Sequence, residues 1–220
     1  MSKKLIFLDL DQTIICNSSQ KEKLSDFQKK NMSSDTYAMQ VTEDGLIHEF
    51  NLLHQALHIS FFSRLGQAIS QGKAEFRVMT AAIYPEKPVV EFLSKHFNAG
   101  ACLAPDIQHR VINRSNIGDP FSIMSAVNDE MTGEGKPFFG KGNLLFGMTR
   151  NGVWVDKVVQ TYFLLNDQLK YADQDSTDII LIDDSEKHRT NMQIMNYSAM
   201  DSTKATYSLE MNALLDSLGV

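Results

Sequence analysis

Four aspartates at the ends of two apolar segments are the residues of this sequence best suited to chemistry. Asp9 and Asp11 follow the apolar run at residues 5–8, and Asp183 and Asp184 follow a second apolar run far along the chain. Open parallel sheets bind ligands outside the carboxyl ends of their strands, where two such strands can converge. Carboxylates crowded together repel one another, so this arrangement predicts a divalent cation among them.

The elements that must position these acids alternate along the chain. Runs rich in Leu, Ile, Val and Phe predict buried strands, and apolar residues at helical spacing predict amphipathic helices. The predicted strands are residues 4–9, 76–80, 178–183 and 197–200, and the predicted helices include residues 54–71, 88–96 and 209–215. This alternation predicts an α/β fold, a Rossmann-like parallel sheet with helices on both faces.

The sequence between the first strand and the first helix predicts a small flap. Residues 17–35 are polar and predict a loop or a short surface helix. Alternating apolar residues at 37–41, a turn at 43–45 and an extended pattern over 46–52 predict a β-hairpin. We therefore interpret residues 1–220 as one domain, with a flap at about 14–53 and a small insert at about 98–155.

Composition excludes several classes of function. A chain of 220 residues that is 43% apolar can bury a conventional core, and a net charge of -6 argues against nucleic acid as a partner. Cys16 and Cys102 form no motif, which favours free thiols in a reducing, cytoplasmic compartment. Asp9 and Asp11 interrupt the first apolar stretch too early for a signal peptide, and no stretch is apolar enough to predict a membrane segment.

The motifs resemble, in order, those of the haloacid dehalogenase (HAD) superfamily. The first is Asp9-Leu10-Asp11-Gln12-Thr13 after an apolar strand, and the second is the Thr80 that ends FRVMT. Lys157 stands in the place of the third, and Asp183-Asp184 within IILIDDS in the place of the fourth. The resemblance covers almost the whole chain and implies the HAD fold with a small cap or none.

The resemblance also implies a reaction. Asp9 would attack phosphorus to form an aspartyl-phosphate, and Asp11 would protonate the leaving group and then deprotonate water. Dehalogenases of the superfamily lack this second acid, so Asp11 favours a phosphatase. Thr80 would donate its hydroxyl to the phosphate.

Magnesium is the cofactor that the resemblance implies. Its ligands would be Asp9, the backbone carbonyl of Asp11 and Asp184, while Asp183 would act through water or by orienting Lys157. Lys157 would offset negative charge at the nucleophile and the phosphate, and Lys141 is the alternative for this role.

The flap is too small for the large helical cap of many metabolite phosphatases. An open site admits a side chain on a protein, so the expected substrate is a phosphoprotein, with phosphotyrosine favoured. The domain also resembles HAD-type tyrosine phosphatase domains of effectors from intracellular bacterial pathogens, which implies delivery into a host cell. A phosphatase of nucleotides or sugar phosphates and a catalytically silent HAD binding module are the alternatives.

Two further features bear on the site. Gln12 stands where the superfamily often has Gly. His54 and His58 have the spacing of a metal pair, but no Glu lies between them and no third ligand is evident. We therefore interpret both histidines as surface and boundary residues.

Overall fold

A computed structural model describes residues 3–105, 110–113, 148–149, 152–153, 177–194 and 197–220. Its strands are β1 (Lys3–Leu8), β2 (Ile15–Asn17), β3 (Met32–Gln40), β4 (Ile47–Leu53), β5 (Ala74–Met79), β6 (Val111–Ile112), β7 (Met148–Thr149), β8 (Gly152–Val153), β9 (Thr177–Asp183) and β10 (Ser198–Asp201). Its helices are α1 (Asp26–Lys30), α2 (Gln55–Ser70), α3 (Glu86–Phe97), α4 (Glu186–Ile194) and α5 (Tyr207–Ser217), with 3₁₀ helices η1 (Ser18–Lys23) and η2 (Ala99–Cys102).

The main sheet has five strands in the order β10-β9-β1-β5-β6, and every neighbouring pair is parallel. This confirms the predicted parallel α/β fold. The chain runs from β1 outward through β5 to β6, and later fills the other side of β1 with β9 and β10. The direction of the strand order reverses at β1, and such switch points form the ligand crevices of open α/β sheets.

The sheet is buried on both faces. Ile6 and Leu8 of β1 pack into a core shared with α2, α3 and α5. Leu5 and Phe7, which alternate with them and therefore point to the opposite face, are also completely buried. Each such side chain contributes about 1.5–3 kcal/mol when it leaves water, which explains the nearly continuous apolar sequence of β1.

The flap is a three-stranded antiparallel sheet in the order β2-β4-β3. β3 and β4 form the predicted hairpin, whose turn contains Gly45 at φ +95°. The rings of Tyr37 on β3 and His96 on α3 are 4.7 Å apart between centroids, so the flap packs against α3.

Several predicted features lie outside the described residues, including Lys141, Lys157 and much of the insert at 98–155. Within the part of the chain that the structure describes, no helix combines the length and apolar character needed to cross a membrane. Cys16 and Cys102 are both buried free thiols, as predicted.

Candidate active site

The register of the central strands brings the two acidic motifs together. Leu8 of β1 pairs with Ile182 of β9, and the Asp9 backbone N–H donates to the Ile182 carbonyl at 2.9 Å. Asp9 and Asp183 are the next residues on the two strands. Both are buried, although they lie more than 170 positions apart in the sequence.

Three carboxylates converge closely enough to hold one cation. Asp9, Asp183 and Asp184 each offer an oxygen, and these oxygens all lie within 4.8 Å of one another. Such crowding of negative charge in a partly buried place is unfavourable unless protons or a cation offset it. An all-oxygen donor set is the kind that hard dications such as Mg²⁺ prefer, so these residues fit the predicted cofactor.

Asp183 is the more constrained of the two adjacent acids. It is fully buried, and its Oδ1 accepts from the Ser185 backbone N–H at 2.7 Å while Oδ2 lies 3.3 Å from His188 Nδ1. Arg189 donates to its backbone carbonyl at 2.9 Å and to Asp201 at 2.8 Å. Asp184 is only partly buried. The bonds to Asp183 fix the first acid of the pair, while the second keeps more access to solvent.

The carboxylate of Asp11 has different neighbours. Its Oδ1 accepts from the Tyr84 hydroxyl at 2.8 Å, and its Oδ2 accepts from the Thr80 hydroxyl at 3.3 Å. Burial, together with the charges of Asp11 and Asp9, raises the pKa of Tyr84, so its hydroxyl stays a donor. The structure thus places the hydroxyls of Thr80 and Tyr84 beside Asp11.

The hydroxyl of Thr13 orients the carboxylate of Asp9. Its hydroxyl donates to Asp9 Oδ2 at 3.3 Å and lies 3.2 Å from the hydroxyl of Ser202. Thr13 and Ser202 are fully buried. Because the Thr13 proton goes to Asp9, Ser202 donates to Thr13, and this chain fixes one oxygen of Asp9.

A strained turn carries the acids of the first motif. Gln12 has φ +59°, and its backbone N–H donates to the Ile15 carbonyl at 2.6 Å. Glycine adopts this left-handed conformation without steric cost, whereas a residue with a Cβ atom, such as Gln12, is strained there. The side chain of Gln28 on α1 donates to the Gln12 carbonyl, and a capping box between Ser25 and Gln28 holds α1 in place. The polar segment of the flap that contains α1 therefore supports the turn.

The interpretation of His54 and His58 as surface and boundary residues is wrong. His54 is 5% exposed and His58 is fully buried. His58 Nδ1 lies 3.0 Å from the Leu53 carbonyl and Nε2 lies 2.9 Å from the Tyr207 hydroxyl, so Nδ1 carries the proton and Nε2 accepts. His54 stacks on Phe27 with 4.8 Å between ring centroids.

His54 caps the start of α2 in a left-handed conformation, φ +49°, and both imidazoles are buried. Burial lowers the pKa of His54 to about 4. Burial, with a smaller contribution from His54, lowers the pKa of His58 to about 3. Burial and the charge of Asp9 raise the pKa of Tyr207. The two imidazoles are therefore neutral, and with the Tyr207 ring they form a packed polar group.

The sequence reasoning missed several residues that contact the predicted site. Tyr84, Gln28, Ser202 and His188 each hydrogen-bond a motif residue. The capping box Ser25-x-x-Gln28 could have indicated α1, but no pattern around the other three predicts their contacts.

Comparisons with known proteins give a limited result. No family model matches the chain, and no curated protein matches it. Solved structures that match include Fcp1, an essential RNA polymerase II CTD phosphatase, at 18% identity and a TM-score of 0.31. A beryllium fluoride-bound form of fission yeast Fcp1 matches at 17% identity and a TM-score of 0.32. Each match covers 53% of this chain and 31% of the other chain. The chain is similar to these proteins over only part of its length and spans about a third of theirs.

Proposed function

We propose that the chain is a magnesium-dependent HAD-type phosphatase that forms an aspartyl-phosphate. The observation that carries the proposal is the convergence of Asp9, Asp183 and Asp184 within 4.8 Å at the strand-order switch of a parallel sheet, with Asp11 and Thr80 bonded to each other beside them. In the proposed reaction this set supplies a nucleophile, a proton donor, a hydroxyl that donates a hydrogen bond to the phosphate, and ligands for a cation.

The residues divide the reaction between them. A carboxylate oxygen of Asp9 bonds to phosphorus while the bond from phosphorus to the leaving oxygen breaks, and Asp11 gives that oxygen its proton. Water then attacks the same phosphorus, Asp11 takes the water's proton, and Asp9 is released with inorganic phosphate. The Thr13 hydroxyl donates to Asp9 Oδ2 at 3.3 Å and so helps to orient the attacking carboxylate.

Asp9, Asp184, the Asp11 carbonyl and, directly or through water, Asp183 would hold the magnesium ion. When bound, the ion offsets the repulsion between the carboxylates and the phosphate group. Lys157, or Lys141 in its place, would add a positive charge near the nucleophile.

The proposed substrate is a phosphorylated side chain of a protein, with phosphotyrosine favoured. The flap is a three-stranded sheet rather than a helical cap, and a long aryl arm can reach a recessed nucleophile. Ile83, which lies between Thr80 and Tyr84, and Ile47 at the hairpin are each more than half exposed, and they offer apolar contacts to a polypeptide. A cytoplasmic location and delivery into a host cell stay predictions from the resemblance.

A substrate panel tests the proposal. Phosphotyrosyl and phosphoseryl peptides, a nucleotide and a sugar phosphate would be compared at equal concentration with magnesium, and phosphate release measured. We expect fastest release from the phosphotyrosyl peptide. Turnover of a metabolite without turnover of any peptide would favour the metabolite phosphatase, and no turnover of any substrate would favour the silent binding module.

A further inference from the structure

Both oxygens of Asp11 accept hydrogen bonds from hydroxyl groups of one loop. Tyr84 donates to Oδ1 at 2.8 Å and Thr80 donates to Oδ2 at 3.3 Å. The shorter bond is of ordinary length for two oxygens and the longer one is weak. Asp11 is therefore held from both sides before any substrate binds.

The two hydroxyls cannot both stay in place during the proposed reaction. A threonine hydroxyl has a single proton, so Thr80 cannot donate to a phosphate oxygen and to Asp11 at once. When Thr80 turns to the phosphate, the protonated carboxyl group of Asp11 can donate its proton from Oδ2 to the leaving oxygen. Tyr84 can keep its bond to Oδ1 throughout, because neither the phosphate nor the leaving group needs its proton.

Resting on the proposed function, we propose that Tyr84 is a positioning residue for proton transfer: it holds Asp11 through Oδ1 while Oδ2 exchanges the Thr80 hydroxyl for the leaving-group oxygen. Tyr84 touches neither phosphorus nor the attacking oxygen. It acts by keeping the carboxyl group in the orientation that reaches the leaving group.

The surroundings of Tyr84 suit this role. Asn113, next to β6, donates from Nδ2 to the Tyr84 backbone carbonyl at 2.8 Å, and the Thr80 N–H donates to the Ile112 carbonyl at 2.9 Å. The loop from Thr80 to Tyr84 is thus tied to the sheet at both ends. Phe50 of the flap packs edge-on against the Tyr84 ring with 6.3 Å between centroids. The flap therefore supports the ring whose hydroxyl holds Asp11.

The test removes only the hydroxyl, in Tyr84→Phe. Steady-state rates would be measured with saturating magnesium on 4-nitrophenyl phosphate, which has a good leaving group, and on phenyl phosphate, which has a poor one. We expect kcat/KM, which reports the phosphorylation step before the common aspartyl-phosphate, to fall roughly tenfold or more for phenyl phosphate and less than about threefold for 4-nitrophenyl phosphate, because a good leaving group needs little protonation. Tyr37→Phe, which alters a flap tyrosine packed on His96, is the matched control and should keep the wild-type ratio.

A second arm places Tyr84→Phe in the Asp11→Asn background. Because Tyr84 acts through Asp11, its removal there should change kcat/KM by less than about twofold. The ratio of the two substrate rates is internal to each variant, so a partly unfolded preparation does not alter it. The role of Tyr84 would be overturned if Tyr84→Phe lowered the rate equally for both esters. It would also be overturned if Tyr84→Phe lowered the rate as much in the Asp11→Asn background as in the wild type.

The outcome also separates this inference from the proposed function. If the wild-type protein hydrolyses both esters and Asp9→Asn does not, the phosphatase stands, and the Tyr84→Phe ratio alone decides the role of Tyr84. If the wild-type protein hydrolyses neither ester, the proposed function fails and the role of Tyr84 fails with it.

Discussion

Two buried histidines should make the folded protein sensitive to acid. His54 and His58 are neutral in the fold, where burial lowers the pKa to about 4 for His54 and to about 3 for His58. In the unfolded chain both side chains take up a proton below about pH 6.5. Since the unfolded state then binds more protons than the folded state, the free energy of unfolding falls as the pH falls.

The size of the effect follows from these values. At pH 5 each histidine is protonated in the unfolded chain and neutral in the fold. The free energy of unfolding falls by about 1.4 kcal/mol per histidine for each pH unit below 6.5, which is about 2 kcal/mol for each residue and about 4 kcal/mol for the pair at pH 5. Domains are typically stable by only about 5–15 kcal/mol, so the loss is a large share of the total. It corresponds to a fall of roughly 8–16 °C in Tm for a chain of this size.

The assay is urea unfolding at pH 7, 6 and 5, followed by circular dichroism, on wild type and His54→Asn. Asn tolerates the left-handed backbone at φ +49° and does not titrate. The variant should therefore lose about 2 kcal/mol less than the wild type between pH 7 and pH 5. His48→Asn, which alters an exposed histidine of the hairpin, is the control and should follow the wild type.

The wild type and both variants have the same carboxylates, which also make the free energy of unfolding depend on pH. The difference between variants in this pH dependence therefore reports the substituted histidine alone. If His54→Asn loses as much stability on acidification as the wild type, His54 is not the group that takes up the proton. The structural account of a neutral, buried pair would then be refuted for that residue.

Three further outcomes are expected. Asp9→Asn should lower turnover of an aryl phosphate at least about a thousandfold, and activity within tenfold of wild type would place the nucleophile elsewhere. Because the substitution removes one of three crowded charges, the Tm of the variant without metal should be no lower than that of the wild type. Magnesium should raise Tm, by an amount equivalent to about 2.7 kcal/mol at a hundred times its Kd, and Asp184→Asn should lose most of this shift. Equal turnover in calcium would contradict a site that is selective for magnesium. Gln12→Val should destabilise the fold by about 1–2 kcal/mol while Gln12→Gly leaves Tm equal or higher, because Gly accepts φ +59° without strain and a β-branched residue does not. A lower Tm for Gln12→Gly than for Gln12→Val would show that the turn is not strained.

Strand prediction succeeded where the sequence is apolar on both faces. The pattern placed the first strand at residues 4–9 and the strand before the fourth motif at 178–183, and the structure has Lys3–Leu8 and Thr177–Asp183. Strands covered on both sides admit few polar residues, so their limits are visible in the sequence.

Local pattern was insufficient where a residue's environment depends on a distant part of the chain. The spacing of His54 and His58 says that they share a helix face, but not that this face meets Tyr207 of α5. Tyr84 shows the same limit, since its bond to Asp11 spans 73 positions and leaves no periodic signal.

The sequence by itself determined the chemistry available: two pairs of acids, each at the end of a strand too apolar to lie anywhere but in a core. The tertiary structure decided which of those groups meet. The parallel pairing of Leu8 with Ile182 brings Asp9 beside Asp183 and Asp184, while Asp11 turns to Thr80 and Tyr84. The physical reason is that strand register and the burial of distant surfaces are set when the whole core packs, and no short segment contains that information.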